Sequence, residues 1–190
     1  TCFCFLLLSL LTVTIPSEAK KKVHTIGDST MANYATDGTT DKRGWAQMLQ
    51  QFFNVDNVTV NNRGKSGASS KSFYLESAYW PTLVTGGSDA MQAGDFLLIQ
   101  FAHNDEKNGG ADGDVVKEYY ANQGDATTAA STDYRGTTAS GTYKEYIRKY
   151  IDEAKAMGVK PIVVGPICRK YFSTDGQSIK RNGMHDLGDN

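Results

Sequence analysis

A serine hydroxyl stands directly after the first predicted strand, at a sharp turn in the chain. Gly27, Asp28 and Ser29 follow the apolar run 23–26 and begin that turn. A serine placed there can act as a nucleophile when nearby N–H groups stabilise the negative charge that develops on the substrate. By itself, Gly-Asp-Ser-Thr also fits an ordinary turn or helix cap. It lacks the G-x-S-x-G pattern of the nucleophile elbow, which disfavours an ordinary α/β-hydrolase.

Two further polar loops follow later predicted strands and contain hydrogen-bond donors. The loop 62–70 contains Gly67, and glycine allows its backbone N–H to approach a neighbouring group closely. The third loop contains Asn104, whose side-chain amide could donate to an oxyanion or simply cap the end of a strand. Each loop alone is a weak signal.

The elements that must position these loops alternate between strands and helices. We predict four strands, at 23–26, 58–60, 96–101 and 161–164, and two helices, at 44–53 and 143–157. Most of the strands are continuous apolar runs, which are typical of a parallel sheet covered on both faces. The polar loops are then expected at the carboxyl ends of the strands, where such sheets bind ligands.

In this order, the three loops together resemble the conserved blocks of the SGNH (GDSL) hydrolases. The matching blocks are Gly27-Asp28-Ser29, the region around Gly67, and His103-Asn104-Asp105. Within that superfamily, the pairs Gly44-Trp45 and Asn61-Asn62 and the segment 100–105 look most like rhamnogalacturonan acetylesterases. One departure is Ala102, which stands where the family usually has glycine, and its methyl group is expected to narrow the pocket without removing a catalytic group.

The resemblance implies a fold and a set of roles. The expected fold is α/β, a flavodoxin-like three-layer α/β/α sandwich with a parallel sheet, and with the last strand and helix missing. Ser29 would be the nucleophile. The N–H groups of Ser29 and Gly67 and the side chain of Asn104 would form the oxyanion hole. Asp28 is expected to be a structural turn residue, and His103 a packing or substrate-side residue.

The family's catalytic Asp and His come from one D-x-x-H block after a fifth strand, and the 190 residues contain no such motif. His185 is preceded three residues earlier by Asn182, an amide that cannot stabilise an imidazolium, and His24 lies inside the first strand. We therefore expect the chain to be cut off before its catalytic histidine and to have little esterase activity, because a serine without its base keeps only the contribution of the oxyanion hole and of substrate binding.

The N-terminal segment predicts export. Its apolar run 5–15 is too short to span a bilayer, and small residues before Lys20 suit cleavage after Ala19. We interpret 1–19 as a signal peptide, itself without a starting Met, and 20–190 as one incomplete SGNH hydrolase domain. Cys168, the one cysteine after the predicted cleavage point, is expected to be a core residue.

Composition narrows the function. A net charge of −1 gives no basic field for nucleic acid, and no residue spacing predicts a metal site or another cofactor. We expect a monomeric, secreted or periplasmic esterase that removes acetyl groups from a plant cell-wall polysaccharide such as rhamnogalacturonan, without membrane association after cleavage. The alternatives are a lipid esterase or thioesterase of the same superfamily, or a non-catalytic carbohydrate-binding domain. The composition of the polar loop 105–142 is equally consistent with a lid that contacts the substrate and with a flexible insertion.

Overall fold

The computed structural model describes residues 20–107, 133–167 and 176–177. The strands of this part are β1 (Lys21–Gly27), β2 (Val58–Asn62), β3 (Phe96–Gln100) and β4 (Lys160–Val163). The α-helices are α1 (Ser70–Leu75), α2 (Trp80–Thr85) and α3 (Thr142–Ala156). Two 3-10 helices, Trp45–Phe52 and Gly87–Asp89, complete the described elements. The predicted signal peptide and Cys168 lie outside the described residues.

The four strands form one parallel sheet in the order β2-β1-β3-β4. In register, Val23 of β1 lies between Val60 of β2 and Phe96 of β3. This is the first part of the flavodoxin-like strand order, in which the chain reverses direction across the sheet between β1 and β3. The predicted α/β class is confirmed, and in sheets of this kind ligands bind at the carboxyl ends of the two strands between which the order reverses.

The core lies between the sheet and the helices α1, α2 and α3. Apolar residues of β1 and β3, such as Ile26 and Ile99, are fully buried in it, together with Phe73 of α1 and Tyr150 of α3. The connections between parallel strands are right-handed. A connection that leads to a strand on one side of β1 therefore places its helix on the opposite face from a connection that leads to the other side. The 3-10 helix Trp45–Phe52, which contacts β2, therefore covers the other face.

The four strands lie within two residues of their predicted bounds, and α3 lies one residue earlier than predicted. The segment predicted as a helix at 44–53 is instead a 3-10 helix, and Met48 and Phe52 on it are 42% and 74% exposed. Short helices α1 and α2 were not predicted. Helix α1 begins at the last residue of the predicted loop 62–70, because Ser69 and Ser72 form a capping box that satisfies backbone N–H groups at the start of the helix.

Candidate active site

The turn after β1 is held by its own aspartate. The Asp28 carboxylate is buried and accepts hydrogen bonds from the backbone N–H and the hydroxyl of Thr30, both at 2.8 Å. The backbone N–H groups of Met31 and Ala32 donate to the Asp28 carbonyl at 3.1 Å. This arrangement fixes Ser29, which is half-buried, directly beyond the end of the strand. An aspartate side chain that accepts hydrogen bonds from the residue two positions later stabilises the turn between them. The turn that contains Ser29 is therefore held in one conformation.

The loop after β2 lies beside this turn. The Lys65 N–H donates to the Gly27 carbonyl at 2.8 Å, which extends the strand pairing past the end of β1. Asn62 links the two segments further, since its amide nitrogen donates to the Met31 carbonyl at 2.8 Å. Gly67 follows with a φ of +84°, a backbone conformation that residues with a Cβ rarely adopt.

The loop after β3 contacts the loop after β2 through Asn104. Its Nδ2 donates to the Ala68 carbonyl at 2.8 Å. An Asn side-chain amide carries two hydrogens, so this bond orients the group and uses only one of them. Asn104 is half-buried, one residue away from the fully buried Asp105. The amide therefore lies at the same sheet edge as Ser29 and Gly67, fixed in direction by a backbone carbonyl.

His103 lies between two elements of this edge. Its Nε2 is 2.6 Å from the Ile167 carbonyl, and its Nδ1 is 4.0 Å from the Asp28 carboxylate. Donation from Nε2 to the carbonyl leaves Nδ1 facing the carboxylate. The ring thus links the turn after β1 to the segment after β4. His24, in contrast, is fully buried within β1, where its ring contacts Asp95 and Asn61.

A second carboxylate of the site is completely buried. Asp105 accepts hydrogen bonds from the Ser70 N–H and hydroxyl, the shortest at 2.5 Å, and from the Thr137 hydroxyl at 3.0 Å. Burial, with a smaller effect of the nearby Asp28, raises the pKa of Asp105 to about 7, although the hydrogen bonds from Ser70 and Thr137 act in the opposite direction. Asp105 thus joins the loop after β3 to the start of α1.

Gln100 is a site residue that the sequence did not single out. It is buried at the end of β3, where its Oε1 accepts from the Trp45 indole at 2.7 Å and from the Thr30 hydroxyl at 3.0 Å. Its Nε2 donates to the Gly165 carbonyl at 2.7 Å. One glutamine therefore connects the turn after β1, the 3-10 helix and the segment after β4. Its sequence signal was its place in the segment 100–105, at the end of a predicted strand.

The structure thus brings the three predicted loops together at the switch point between β1 and β3. A serine hydroxyl, a glycine backbone and an oriented amide at one edge can supply a nucleophile and donors to an oxyanion. Among the described residues, no group of His, Cys, Asp and Glu could hold a metal ion, and no helix has the length and apolar character needed to cross a membrane. His185 lies outside the described residues.

This fold and this arrangement of loops define the SGNH type of acylhydrolase. The chain belongs to the GDSL-like Lipase/Acylhydrolase family, whose model matches residues 25–184. It is 28% identical over 156 residues to the rhamnogalacturonan acetylesterase RhgT of Bacillus subtilis, which covers 82% of this chain and 53% of RhgT. It is 27% identical over 150 residues to the probable rhamnogalacturonan acetylesterase YesY of the same organism, covering 79% of this chain and 55% of YesY.

A third relative is also an acetylesterase by name, and a solved structure shares the fold. The rhamnogalacturonan acetylesterase of Emericella nidulans is 28% identical over 134 residues, which is 70% of this chain and 47% of the relative. The crystal structure of the Bacillus subtilis protein YxiM shares the fold, with a TM-score of 0.57 and 20% identity over 90% of this chain and 41% of YxiM. The chain therefore spans about half the length of the curated relatives that it matches.

Proposed function

We propose that this chain carries the nucleophile and oxyanion donors of a secreted carbohydrate acetylesterase that acts on a plant cell-wall polysaccharide such as rhamnogalacturonan. The observation that carries the proposal is that the three loops containing Ser29, Gly67 and Asn104 are hydrogen-bonded to one another at the carboxyl ends of β1 and β3. The acetylesterase names of its relatives support the substrate class. The apolar run before Lys20 supports export to a secreted or periplasmic location.

In the proposed reaction, the Ser29 hydroxyl oxygen attacks the carbonyl carbon of the acetyl ester. The carbonyl electron pair moves onto oxygen, where the N–H groups of Ser29 and Gly67 and the amide of Asn104 stabilise it. When the carbonyl re-forms, the sugar oxygen leaves with the proton that the serine hydroxyl gave up. Water then hydrolyses the acetyl-serine and releases acetate.

The general base for these proton transfers is not assigned to any described residue. In the family, the base belongs to an Asp-x-x-His block, and the 190-residue sequence contains no such block. Without a base, attack on a reactive ester is slowed, and hydrolysis of the acyl-serine is slowed as well. The chain is therefore expected to become acetylated slowly and to accumulate as the acyl-enzyme, with little turnover.

Labelling with p-nitrophenyl acetate tests the role of Ser29. We expect up to one acetyl group per chain, located at Ser29 by peptide mass mapping, and none at this position after Ser29→Ala. Ser77→Ala is the matched control, because Ser77 is an exposed serine outside the three loops. Equal labelling of the Ser29→Ala chain would remove Ser29 from its assigned role.

The choice of acyl donor tests the substrate. Acetylated rhamnogalacturonan oligosaccharides are expected to slow the acetylation of Ser29 by p-nitrophenyl acetate because they compete for the site, whereas p-nitrophenyl palmitate, which has the same leaving group as the acetate ester, is expected to acylate Ser29 more slowly than the acetate ester does. Faster acylation by the palmitate ester would replace the proposal with a lipid esterase. Calorimetric binding of the oligosaccharide, with no acylation by any ester, would instead favour a carbohydrate-binding domain.

A further inference from the structure

The segment 133–138 reaches the candidate site from the far end of the polar loop 105–142. Its central residue, Arg135, donates from Nη1 to the Gly67 carbonyl at 3.2 Å. The two residues are 68 positions apart in the sequence, so only the fold brings them together. The Arg135 side chain is 22% exposed, and its guanidinium lies against the glycine, with Nη1 only 3.5 Å from where a Cβ of Gly67 would be.

A second residue of the segment fixes the direction of this guanidinium. Arg135 Nε donates to the Asp133 carboxylate at 2.9 and 3.1 Å, and Nη2 donates to it at 2.5 Å. The Asp133 carboxylate also accepts the Arg135 backbone N–H at 3.0 Å. A guanidinium is planar and its donors form a rigid fork. With one edge of the fork bound to Asp133, the direction in which Nη1 points is set.

The same segment also binds the loop that carries the amide donor. The Thr137 N–H donates to the Asp105 carbonyl at 3.0 Å, and its hydroxyl donates to the Asp105 carboxylate at 3.0 Å. Thr137 is fully buried. Since Asp105 directly follows Asn104, one short segment is bonded both to Gly67 and to the neighbour of Asn104. These contacts make 133–138 a structural support of the site.

We propose that Arg135 is a positioning residue, which holds Gly67 in its left-handed conformation so that the glycine N–H stays aimed at the oxyanion. The inference rests on the proposed function, because it gives Arg135 a role in the same acyl-transfer step. Gly67 requires such support, since a glycine has many accessible backbone conformations and only one of them places its N–H correctly. Arg135 touches the glycine carbonyl and acts on the reaction only through it.

Arg135→Ala tests the proposal by two measurements, with Arg148→Ala as the matched control because Arg148 is an exposed arginine of α3. By NMR relaxation, the order parameter of the Gly67 amide should fall from about 0.85 to below about 0.6, while that of Gly94, another glycine with positive φ, stays unchanged. The rate of Ser29 acetylation at saturating p-nitrophenyl acetate should fall by about tenfold, with little change in half-saturation.

Arg135→Lys separates geometry from charge. Lysine keeps the positive charge but lacks the fork that binds Asp133 and Gly67 together, so we expect it to restore neither the order of Gly67 nor the acetylation rate. An unchanged Gly67 order parameter in Arg135→Ala would overturn the proposal, as would a lower order parameter with an unchanged rate. If the unsubstituted chain is not acetylated at Ser29, the proposed function fails, and the Gly67 relaxation still decides whether Arg135 holds the glycine.

Discussion

Asp105 shows how one carboxylate can serve both the fold and the site. It is fully buried, yet it accepts hydrogen bonds from Ser70 and Thr137, residues of two different elements. Burial favours its neutral form, and these hydrogen bonds favour its charged form. Because burial is the larger effect, the pKa rises from 3.8 to about 7. The proton on Asp105 is therefore linked to folding.

The sign of this linkage gives a testable pH dependence. Between about pH 4 and pH 7, the folded chain holds a proton at Asp105 that the unfolded chain has released, so this contribution to stability is lost as pH rises through that range. The size is on the order of 4 kcal/mol at most. The Asp105→Asn variant has no titratable group at this position. The unfolding free energy of the native chain, relative to this variant, should therefore decrease with rising pH in urea titrations.

The comparison with Asp105→Asn also removes the effect of other titrating groups. Burial lowers the pKa of His24, so this residue alone makes the fold lose stability as pH falls below about 6.5. His24 is present in both proteins, and its contribution cancels in the difference. A difference that is constant from about pH 4.5 to about pH 7.5 would show that Asp105 does not titrate in this range.

At the scale of elements, the 3-10 helix Trp45–Phe52 is attached to the turn after β1 through its first residues. The Trp45 N–H donates to the Thr30 carbonyl at 2.9 Å. Gly44, which precedes the helix, is packed so closely that a Cβ there would overlap the backbone of Met31 and Ala32. Glycine is required at this position by contact between two backbones.

Gly44→Ala should therefore destabilise the fold strongly, by about 2–4 kcal/mol, because backbone atoms cannot move aside as a side chain can. Gly165→Ala is the matched control, since a Cβ there meets no atom within 4 Å. Its effect should stay within about 0.5 kcal/mol. Thermal and urea unfolding measure both variants. Equal stabilities would show that the turn after β1 can shift to make room.

At the scale of the whole molecule, β4 is an edge strand of the described sheet and exposes apolar side chains. Ile162 and Val163 of β4 are 46% and 51% exposed, and a groove of about 560 Å³ lies between this strand and Ile147 and Ile151 of α3. Within the described part of the chain, β4 pairs with β3 alone. An exposed apolar edge strand tends to pair with another chain.

An edge left open in this way would lead the chain to self-associate, and Val163→Lys would then reduce the association by placing a charge on the edge. Val55→Lys is the control, because Val55 is similarly exposed, at 56%, but lies away from β4. Sedimentation velocity distinguishes the two variants. If the unsubstituted chain is monomeric, the edge is covered and the monomer expected from the sequence is correct.

The sequence by itself determined the strands, their parallel arrangement and the three polar loops. These features follow from local patterns, namely continuous apolar runs and polar residues at fixed positions after each run. The resemblance to the SGNH hydrolases also came from short motifs, and the family match confirms it. The roles of Ser29, Gly67 and Asn104 remain predictions that the labelling experiments test.

Only the tertiary structure decided how those loops are held. The contacts of Gln100 with Trp45, of Asp105 with Ser70 and of Arg135 with Gly67 join residues 55, 35 and 68 positions apart. Each of these side chains, taken locally, looks like an ordinary polar residue of a loop or strand end. These residues meet because the strand order reverses between β1 and β3, which brings loops that are distant in the sequence to one edge of the sheet. No local pattern of residues encodes that strand order.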